Sequence, residues 1–88
     1  MEYKIIFRSE KIISKDLLKL QKNVLNNIFL KIDSLAEQWL INSEIKKLNH
    51  YKICNYRLRV WDYRILFDIN EEKNEIIIFR ILHRSKLY

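Results

Sequence analysis

The fold is decided by residues 55–67, which read NYRLRVWDYRILF. Apolar and polar residues alternate on both sides of a short central turn. Such alternation is typical of β-strands, because successive side chains of a strand point to opposite faces of the sheet. Leu58 and Val60 therefore share one face, and Arg57 and Arg59 share the other. The pattern predicts a β-hairpin with one apolar side and one basic side.

The basic side of this hairpin has a feature that stability does not explain. With Trp61–Asp62 as the tight turn, Arg59 lies directly opposite Arg64. Like charges in directly opposed positions destabilise a strand pair by up to roughly 1 kcal/mol. We therefore infer that these arginines face something anionic.

The chain before the hairpin predicts a strand and a pair of helices. Tyr3–Arg8 alternates as a first strand, and Ser9 is placed to cap the helix that follows. Apolar residues at spacings of three and four then predict two amphipathic helices, which form a hairpin that can cover one face of the sheet. The helical pattern continues to about Lys47, and Asn49–Lys52 reads as the loop into the second strand.

The chain after the first hairpin predicts a second one. Its loop is Asn70–Asn74, because asparagine tolerates the positive φ of tight turns, and its last strand is Glu75–Leu82. We expect Ile69 to pair with Glu75. The buried face of the last strand is then expected to hold Ile77, Phe79 and Ile81.

This register places Arg80 opposite Arg64. Arg59, Arg64 and Arg80 then form a row across the sheet, with Arg57 two residues along its strand. The predicted fold class is α+β, with a small twisted antiparallel sheet of four strands packed against an α-helical hairpin.

The composition is that of a small, basic, globular protein. The 88 residues are enough for one domain, which we expect to span residues 1–88. A hydrophobic fraction of 49% excludes intrinsic disorder as the main state. The net charge of +6 indicates a polyanion or an acidic protein as partner, and solubility alone is the alternative explanation.

Cysteine content and hydropathy bear on the compartment. Cys54 is the single cysteine, so no intramolecular disulfide forms, and we expect a small buried side chain rather than a nucleophile. His50 reads as a loop residue for which the sequence offers no metal-ligand partner. No apolar run approaches the ~18 residues of a membrane span, and no signal peptide opens the chain. The expected compartment is the cytoplasm.

Three motifs resemble those of RelE toxins from type II toxin–antitoxin systems. They are YRLRV at residues 56–60, DYRI at residues 62–65 and RILHRSKLY at residues 80–88. The predicted order strand–helix–helix–strand–strand–strand extends the resemblance over essentially the whole chain. The basic residues and the ending with histidine, arginine and tyrosine are most similar to the archaeal-type RelE branch. The resemblance implies a fold like that of microbial ribonucleases.

The same resemblance implies an activity. RelE toxins cut messenger RNA, typically in the ribosomal A site, and a cognate antitoxin keeps them silent. Cleavage uses the ribose 2′-hydroxyl as nucleophile and leaves a cyclic phosphate, so the resemblance implies neither a metal ion nor a cofactor. The implied partners are mRNA, the ribosome and an acidic RelB-like antitoxin, which forms a heterodimer or heterotetramer with the toxin.

The site residues also follow from the resemblance. Arg64 and Arg84 are the candidates for holding the scissile phosphate, because a guanidinium offers bidentate donors to phosphate oxygens. The family's C-terminal basic position matches His83 or Arg84. His83 suits proton transfer near neutral pH, and a capped or hydrogen-bonded histidine at a strand end is the alternative. Tyr88 matches a tyrosine suited to stacking on a base. Neighbouring phosphates are assigned to Arg57, Arg59 and Arg80.

The sequence departs from the RelE pattern in two places. Several RelE toxins carry lysines where this chain has Arg57 and Arg59, and one of those lysines is proposed as the general base. Arginine keeps its proton in proteins, so that role does not carry over. The usual glycine of the turn is replaced by Trp61.

Two other functions fit a chain of this kind. ParE toxins share the fold family and poison DNA gyrase, although they generally lack the clustered arginines and the basic ending with tyrosine. A non-catalytic relic that still binds its antitoxin is the other alternative.

Overall fold

One face of a mixed β-sheet holds two helices in the computed structural model, which describes residues 3–39, 45–48 and 54–86. In chain order the elements are β1 (Lys4–Phe7), α1 (Glu10–Leu18), α2 (Lys22–Gln38), β2 (Ile45–Lys47), β3 (Tyr56–Val60), β4 (Tyr63–Asn70) and β5 (Glu75–His83), followed by a 3₁₀ turn at Arg84–Lys86. The strand order is β1-β5-β4-β3-β2. Of these neighbouring pairs, β1 and β5 are parallel and the others antiparallel.

The α+β class and the helical hairpin on the sheet are confirmed, with two differences. The described part of the chain forms five strands where the sequence predicts four. The first strand also pairs in parallel with the last, so the sheet is mixed and not purely antiparallel.

The additional strand is β2, in a region for which the sequence predicts helix to about Lys47. That prediction is wrong, because α2 ends at Gln38 and Ile45–Lys47 pairs with β3. Three residues are too few to show alternation, so only pairing with β3 makes this segment a strand. Residues 40–44 and the predicted loop at Asn49–Lys52, with His50, lie outside the described residues.

The hydrophobic core fills the space between the helices and the sheet. Fully burying an aliphatic or phenylalanine side chain contributes about 1.5–3 kcal/mol relative to leaving it in water. Helix α1 begins as predicted, because Ser9 Oγ accepts a hydrogen bond of 3.3 Å from the Ile12 N–H. The completely buried side chains of this core include Ile28 and Leu35 from α2 and Leu58, Ile65 and Phe67 from the sheet.

The register of the hairpin between β3 and β4 is confirmed. Val60 pairs with Tyr63, which leaves Trp61–Asp62 as the two-residue turn, and Arg59 pairs with Arg64. Residues on the apolar side of both strands pack against the helices. Because side chains alternate along a strand, the arginines point to the face that the helices do not cover.

The predicted register of β4 with β5 is wrong by one residue. Asn70, not Ile69, pairs with Glu75. A register shift between Leu66 and Phe67 then sets two residues of β5 against one of β4, as in a β-bulge. The bulge resets the alternation, so the buried residues are Ile76 and Ile78 before it and Ile81 after it.

Candidate functional site

Four cations of β2, β3 and β4 lie on the face of the sheet opposite the helices, and we call this set the basic face: Lys46, Arg57, Arg59 and Arg64. Lys46 pairs directly with Arg57, and Arg59 pairs directly with Arg64. Leu58 and Val60 alternate with the two arginines of β3 and are buried under the helices. The basic face is therefore presented to solvent by the same alternation that builds the core.

The basic face opposes like charges at two ladder positions. Each such pair destabilises the sheet by up to roughly 1 kcal/mol. An acid on the same face, Asp68, accepts a 2.6 Å hydrogen bond from the Asn55 N–H, so its carboxylate is directed to the start of β3. The arrangement is suited to binding an anion that bridges neighbouring strands.

Arg64 is held at the turn between β3 and β4. Its Nη1 donates to the carbonyl oxygens of Trp61 and Tyr63, at 2.9 Å in each case. These bonds fix the half-buried guanidinium beside the tip of the hairpin. A fixed guanidinium loses less side-chain freedom on binding phosphate than a mobile one.

Arg84 approaches the same turn from the end of β5. Its backbone N–H donates to the Asp62 carbonyl at 2.7 Å, and its Nε lies 3.7 Å from Asp62 Oδ1. Both side chains of this ion pair are more than 60% exposed, at 62% and 63%. An exposed pair of this length contributes little to stability, so little stability is lost when Arg84 leaves Asp62 for another anion. The structure thus brings Arg64 and Arg84 to one turn.

His83 lies on the other side of the sheet. Its ring packs edge-on against Tyr63, with centroids 5.3 Å apart and an interplanar angle of 89°. Tyr63 packs against the core under the helices, whereas Arg64, the next residue, points away from it by strand alternation. The structure does not bring His83 beside Arg64.

The hydrogen bonds of His83 define its tautomer. The Ser85 N–H donates to Nδ1 at 3.2 Å, and the Ser85 hydroxyl lies 2.9 Å from the same nitrogen. Because Nδ1 accepts from an N–H, the neutral ring has its proton on Nε2. In this neutral state Nε2 offers a hydrogen-bond donor, and no ring nitrogen is available to accept a proton. Only the doubly protonated ring, whose Nδ1–H would donate to the Ser85 hydroxyl, can release a proton.

A groove of about 600 Å³ lies beside His83 on the helix side of the sheet. It runs between the end of α1 and the end of β5, and its lining includes Lys15, Lys19 and Lys86. The exposed Leu18 also borders it. No residue of the basic face lines this groove.

Arg80 contacts α1 and is not part of the predicted row. Its Nε and Nη2 donate to the two carboxylate oxygens of Asp16, at 2.9 and 2.8 Å. The Ile81 N–H also donates to Asp16, at 3.0 Å. Across β4, Arg64 pairs with Leu82. The predicted Arg59–Arg64–Arg80 row is therefore wrong, because the one-residue register difference and the bulge together shift β5 by two residues.

The bonds to Asp16 determine its protonation. Burial alone would raise the pKa of this carboxyl, but the hydrogen bonds from Arg80 and the Ile81 N–H outweigh burial and lower the pKa. Asp16 therefore keeps its negative charge and neutralises Arg80.

Two residues named in the sequence analysis remain, Tyr88 and Cys54. Tyr88 lies outside the described residues. Cys54 is buried as expected, at 3% exposure, and burial raises the pKa of its thiol to about 11. A thiol with that pKa is protonated at neutral pH and is a poor nucleophile.

Two residues of the site region were missed by the sequence reasoning. Lys46 extends the basic face to β2, but it lies in the segment read as helix, and its one signal is a pair of adjacent lysines after an apolar residue. Asp16 has no local signal, because its partner Arg80 is 64 residues away in sequence.

The described residues include neither a candidate metal cluster nor a candidate membrane span. No group of three or more His, Cys, Asp or Glu residues among them could hold a metal ion. No helix among them is long and apolar enough to cross a membrane.

Comparison with known proteins gives a family and a set of similar folds. Residues 10–88 match the family model described as the ParE toxin of the type II toxin–antitoxin system parDE. No curated protein matches the chain.

Three of the matching solved structures are toxin–antitoxin complexes. A chain of the archaeal RelE–RelB complex from Pyrococcus horikoshii OT3 is 22% identical with a TM-score of 0.78, and the match covers 98% of this chain and 99% of that one. A chain of the RelBE2 complex from Mycobacterium tuberculosis is 24% identical with a TM-score of 0.75, and the match covers 96% of this chain and 100% of that one. A chain of the RelB–RelE complex from Methanococcus jannaschii is 30% identical with a TM-score of 0.71, and the match covers 94% of each chain.

Proposed function

The chain belongs to the RelE/ParE superfamily of toxins from type II toxin–antitoxin systems, and we propose that it is an endoribonuclease of the RelE kind that cleaves translated mRNA. The observation that favours this activity is the basic face. Two directly opposed cation pairs on neighbouring strands cost stability, and the phosphates of a bound RNA would offset that cost.

The chemistry assigned to the protein is positioning and charge stabilisation. The ribose 2′-oxygen attacks the adjacent phosphorus as its hydroxyl proton passes to water, and the bond from phosphorus to the 5′-oxygen breaks. The 5′-oxygen takes up a proton and leaves as the 5′-hydroxyl of the downstream RNA, and a 2′,3′-cyclic phosphate remains on the upstream RNA. Negative charge builds on the phosphoryl oxygens in the transition state. Arg64, fixed at the turn, and Arg84, beside it, donate to those oxygens, while Arg57 and Arg59 hold neighbouring phosphates.

Proton transfer needs groups other than the arginines, since arginine does not release its proton. We assign the doubly protonated form of His83 to donating a proton from Nε2 to the leaving 5′-oxygen, because Nδ1 is occupied by Ser85. His83 and the basic face lie on opposite sides of the sheet, so RNA that reaches both must pass around the end of the sheet at the start of β4. Tyr88 remains assigned to stacking on a base, as the resemblance implies.

The proposed partner is an acidic antitoxin. The matching solved structures are complexes of RelE with RelB, and this chain has a net charge of +6. We propose a RelB-like antitoxin that forms a heterodimer or heterotetramer with the toxin in the cytoplasm. The proposed partners of the free toxin are mRNA and the ribosome.

Inducing the toxin without antitoxin tests this proposal. Growth should stop, and primer extension on total RNA should map new 5′ ends inside translated regions of messages. Intact messages during a growth arrest would contradict the proposal. A variant with Arg64→Ala, produced to the same level, controls for effects of overproduction.

A second function is favoured by one observation, the match to a family model described as a ParE toxin. A gyrase poison would leave messages intact and cause DNA breaks to accumulate after induction. A relic that binds antitoxin without further activity would give neither the RNA ends nor the DNA breaks. The same induction therefore distinguishes the three functions.

A further inference from the structure

Trp61 occupies a backbone position that does not suit it. It is the first residue of the β3–β4 turn and has φ 54°, in the left-handed region that glycine enters without steric cost. A bulky side chain at this φ is strained and needs an explanation. Its indole is also 54% exposed, so packing in the core does not supply one.

The turn that presents Trp61 is built into the arginine site. Arg64 donates a 2.9 Å hydrogen bond to the Trp61 carbonyl. Arg84 bonds to Asp62, the other residue of the turn, through its backbone at 2.7 Å. Within the part of the chain that the structure describes, the Trp61 ring stacks on no other aromatic ring.

We propose that Trp61 forms a base-stacking subsite for single-stranded RNA at the tip of the β3–β4 hairpin, an inference that rests on the proposed function. Exposed aromatic side chains next to phosphate-binding cations are the usual means of holding unstacked bases. With Arg64 and Arg84 on the phosphate, Trp61 stacks on a base of the same strand. The strain at its backbone is then the cost of placing a large ring where glycine would otherwise lie.

The experiment uses a short single-stranded RNA whose 2′-hydroxyls are all methylated, so that it binds without being cleaved. Trp39 packs edge-on against Tyr3, with ring centroids 5.7 Å apart, and is replaced by phenylalanine so that Trp61 is the sole tryptophan. Titration of this RNA into the Trp39→Phe protein should quench the indole fluorescence. Binding itself is measured by the fluorescence anisotropy of a labelled RNA. If the indole fluorescence is not quenched at RNA concentrations that saturate binding, the proposal is overturned.

Matched variants separate stacking from charge. Trp61→Gly should weaken RNA binding about 5- to 150-fold, the equivalent of roughly 1–3 kcal/mol per stacked base, while raising the melting temperature because glycine relieves the strained φ. Trp61→Phe should keep most of the affinity and the parental melting temperature. The dependence of log K on log salt should be unchanged in both, since neither removes a cation.

The outcomes distinguish failure of this inference from failure of the proposed function. If RNA binding depends on Arg59 and Arg64 but Trp61→Gly binds as well as the parent, the subsite is wrong and the proposed function stands. If Trp61→Gly loses antitoxin binding instead of RNA binding, Trp61 is a protein contact and the subsite is also wrong. If the parental protein does not bind the RNA, the subsite is wrong, and the induction experiment alone decides the proposed function.

Discussion

Asp16 is an acid whose side chain is only 7% exposed, and it accepts bonds from Arg80 and the Ile81 N–H. It joins α1 to β5 just beyond the point where β1 stops pairing with that strand. The contact therefore closes the edge of the sheet that β1 leaves open. This gives Arg80 a structural role that an RNA phosphate would have to displace.

Replacing Asp16 tests that role. Asp16→Asn should lower the free energy of unfolding by about 1–3 kcal/mol at pH 7, because it removes the charge that Arg80 bonds. The pKa of Asp16 is lowered in the folded state. The difference in free energy of unfolding between variant and parent should therefore reach its maximum above about pH 4. It should disappear as pH falls through the lowered pKa.

Urea unfolding at pH 7 and at pH 3 measures both parts of this prediction. The exposed Asp33 on α2 provides the control, and Asp33→Asn should change stability by less than about 0.5 kcal/mol. If Asp16→Asn lowers the free energy of unfolding equally at both pH values, the carboxylate charge is not the cause of the destabilisation.

At the scale of single residues, the sequence revealed the positions whose partners are close along the chain. Arg59 and Arg64 are separated by a two-residue turn, so alternation was enough to pair them. The partner of Arg80 is on a helix near the other end of the chain, and no periodicity contains that information. The same limit explains why His83 was grouped with Arg64.

At the scale of elements, β5 decides which side chains reach the site. Its bulge opposite Leu66 reverses the alternation within one strand, so a strict period of two assigned Ile77 and Phe79 to the wrong face. The strand itself and its hairpin with β4 followed from the sequence, because the apolar run and the Asn70–Asn74 loop are local signals. Bulges leave no such signal, since they are set by pairing.

The edge strand β2 offers a test of the opposed charges. Lys46→Glu replaces a like-charge pair with Arg57 by an opposite-charge pair, and should raise the free energy of unfolding by up to about 1 kcal/mol. The same change should weaken RNA binding and lower the slope of log K against log salt. Stability should rise and RNA affinity should fall, because we expect these cations to bind RNA and not to stabilise the fold.

Thermal unfolding and RNA titrations at several salt concentrations measure the two effects. Lys73, exposed in the β4–β5 loop at the far end of the hairpin, provides the control, and Lys73→Glu should change neither quantity appreciably. Tighter RNA binding by Lys46→Glu would exclude Lys46 from the basic face as a binding surface.

At the scale of the whole molecule, a net charge of +6 governs encounter with both proposed partners. An acidic antitoxin and an RNA are attracted to the same positive field. We therefore expect an antitoxin to inhibit the toxin by occupying the basic face. Its affinity need not come from charge alone, since rates of encounter respond to charge more than final affinity does.

Stopped-flow association of toxin and antitoxin tests the electrostatic part. The association rate constant should fall as ionic strength rises, because salt screens the attraction between exposed charges. The dissociation rate constant should change less. An association rate that is indifferent to salt would contradict a charge-guided encounter.

We expect Arg64 and Arg84 to stabilise the transition state of RNA cleavage at the β3–β4 turn. Single-turnover cleavage of mRNA on programmed ribosomes, with toxin in saturating excess, tests it most directly. Arg64→Ala and Arg84→Ala should each lower the rate roughly 100- to 1000-fold, the effect of losing one donor to transition-state charge. Lys73→Ala, which removes a cation far from the turn, should keep the parental rate. If Arg64→Ala and Arg84→Ala cleave at the parental rate, the proposed site is wrong.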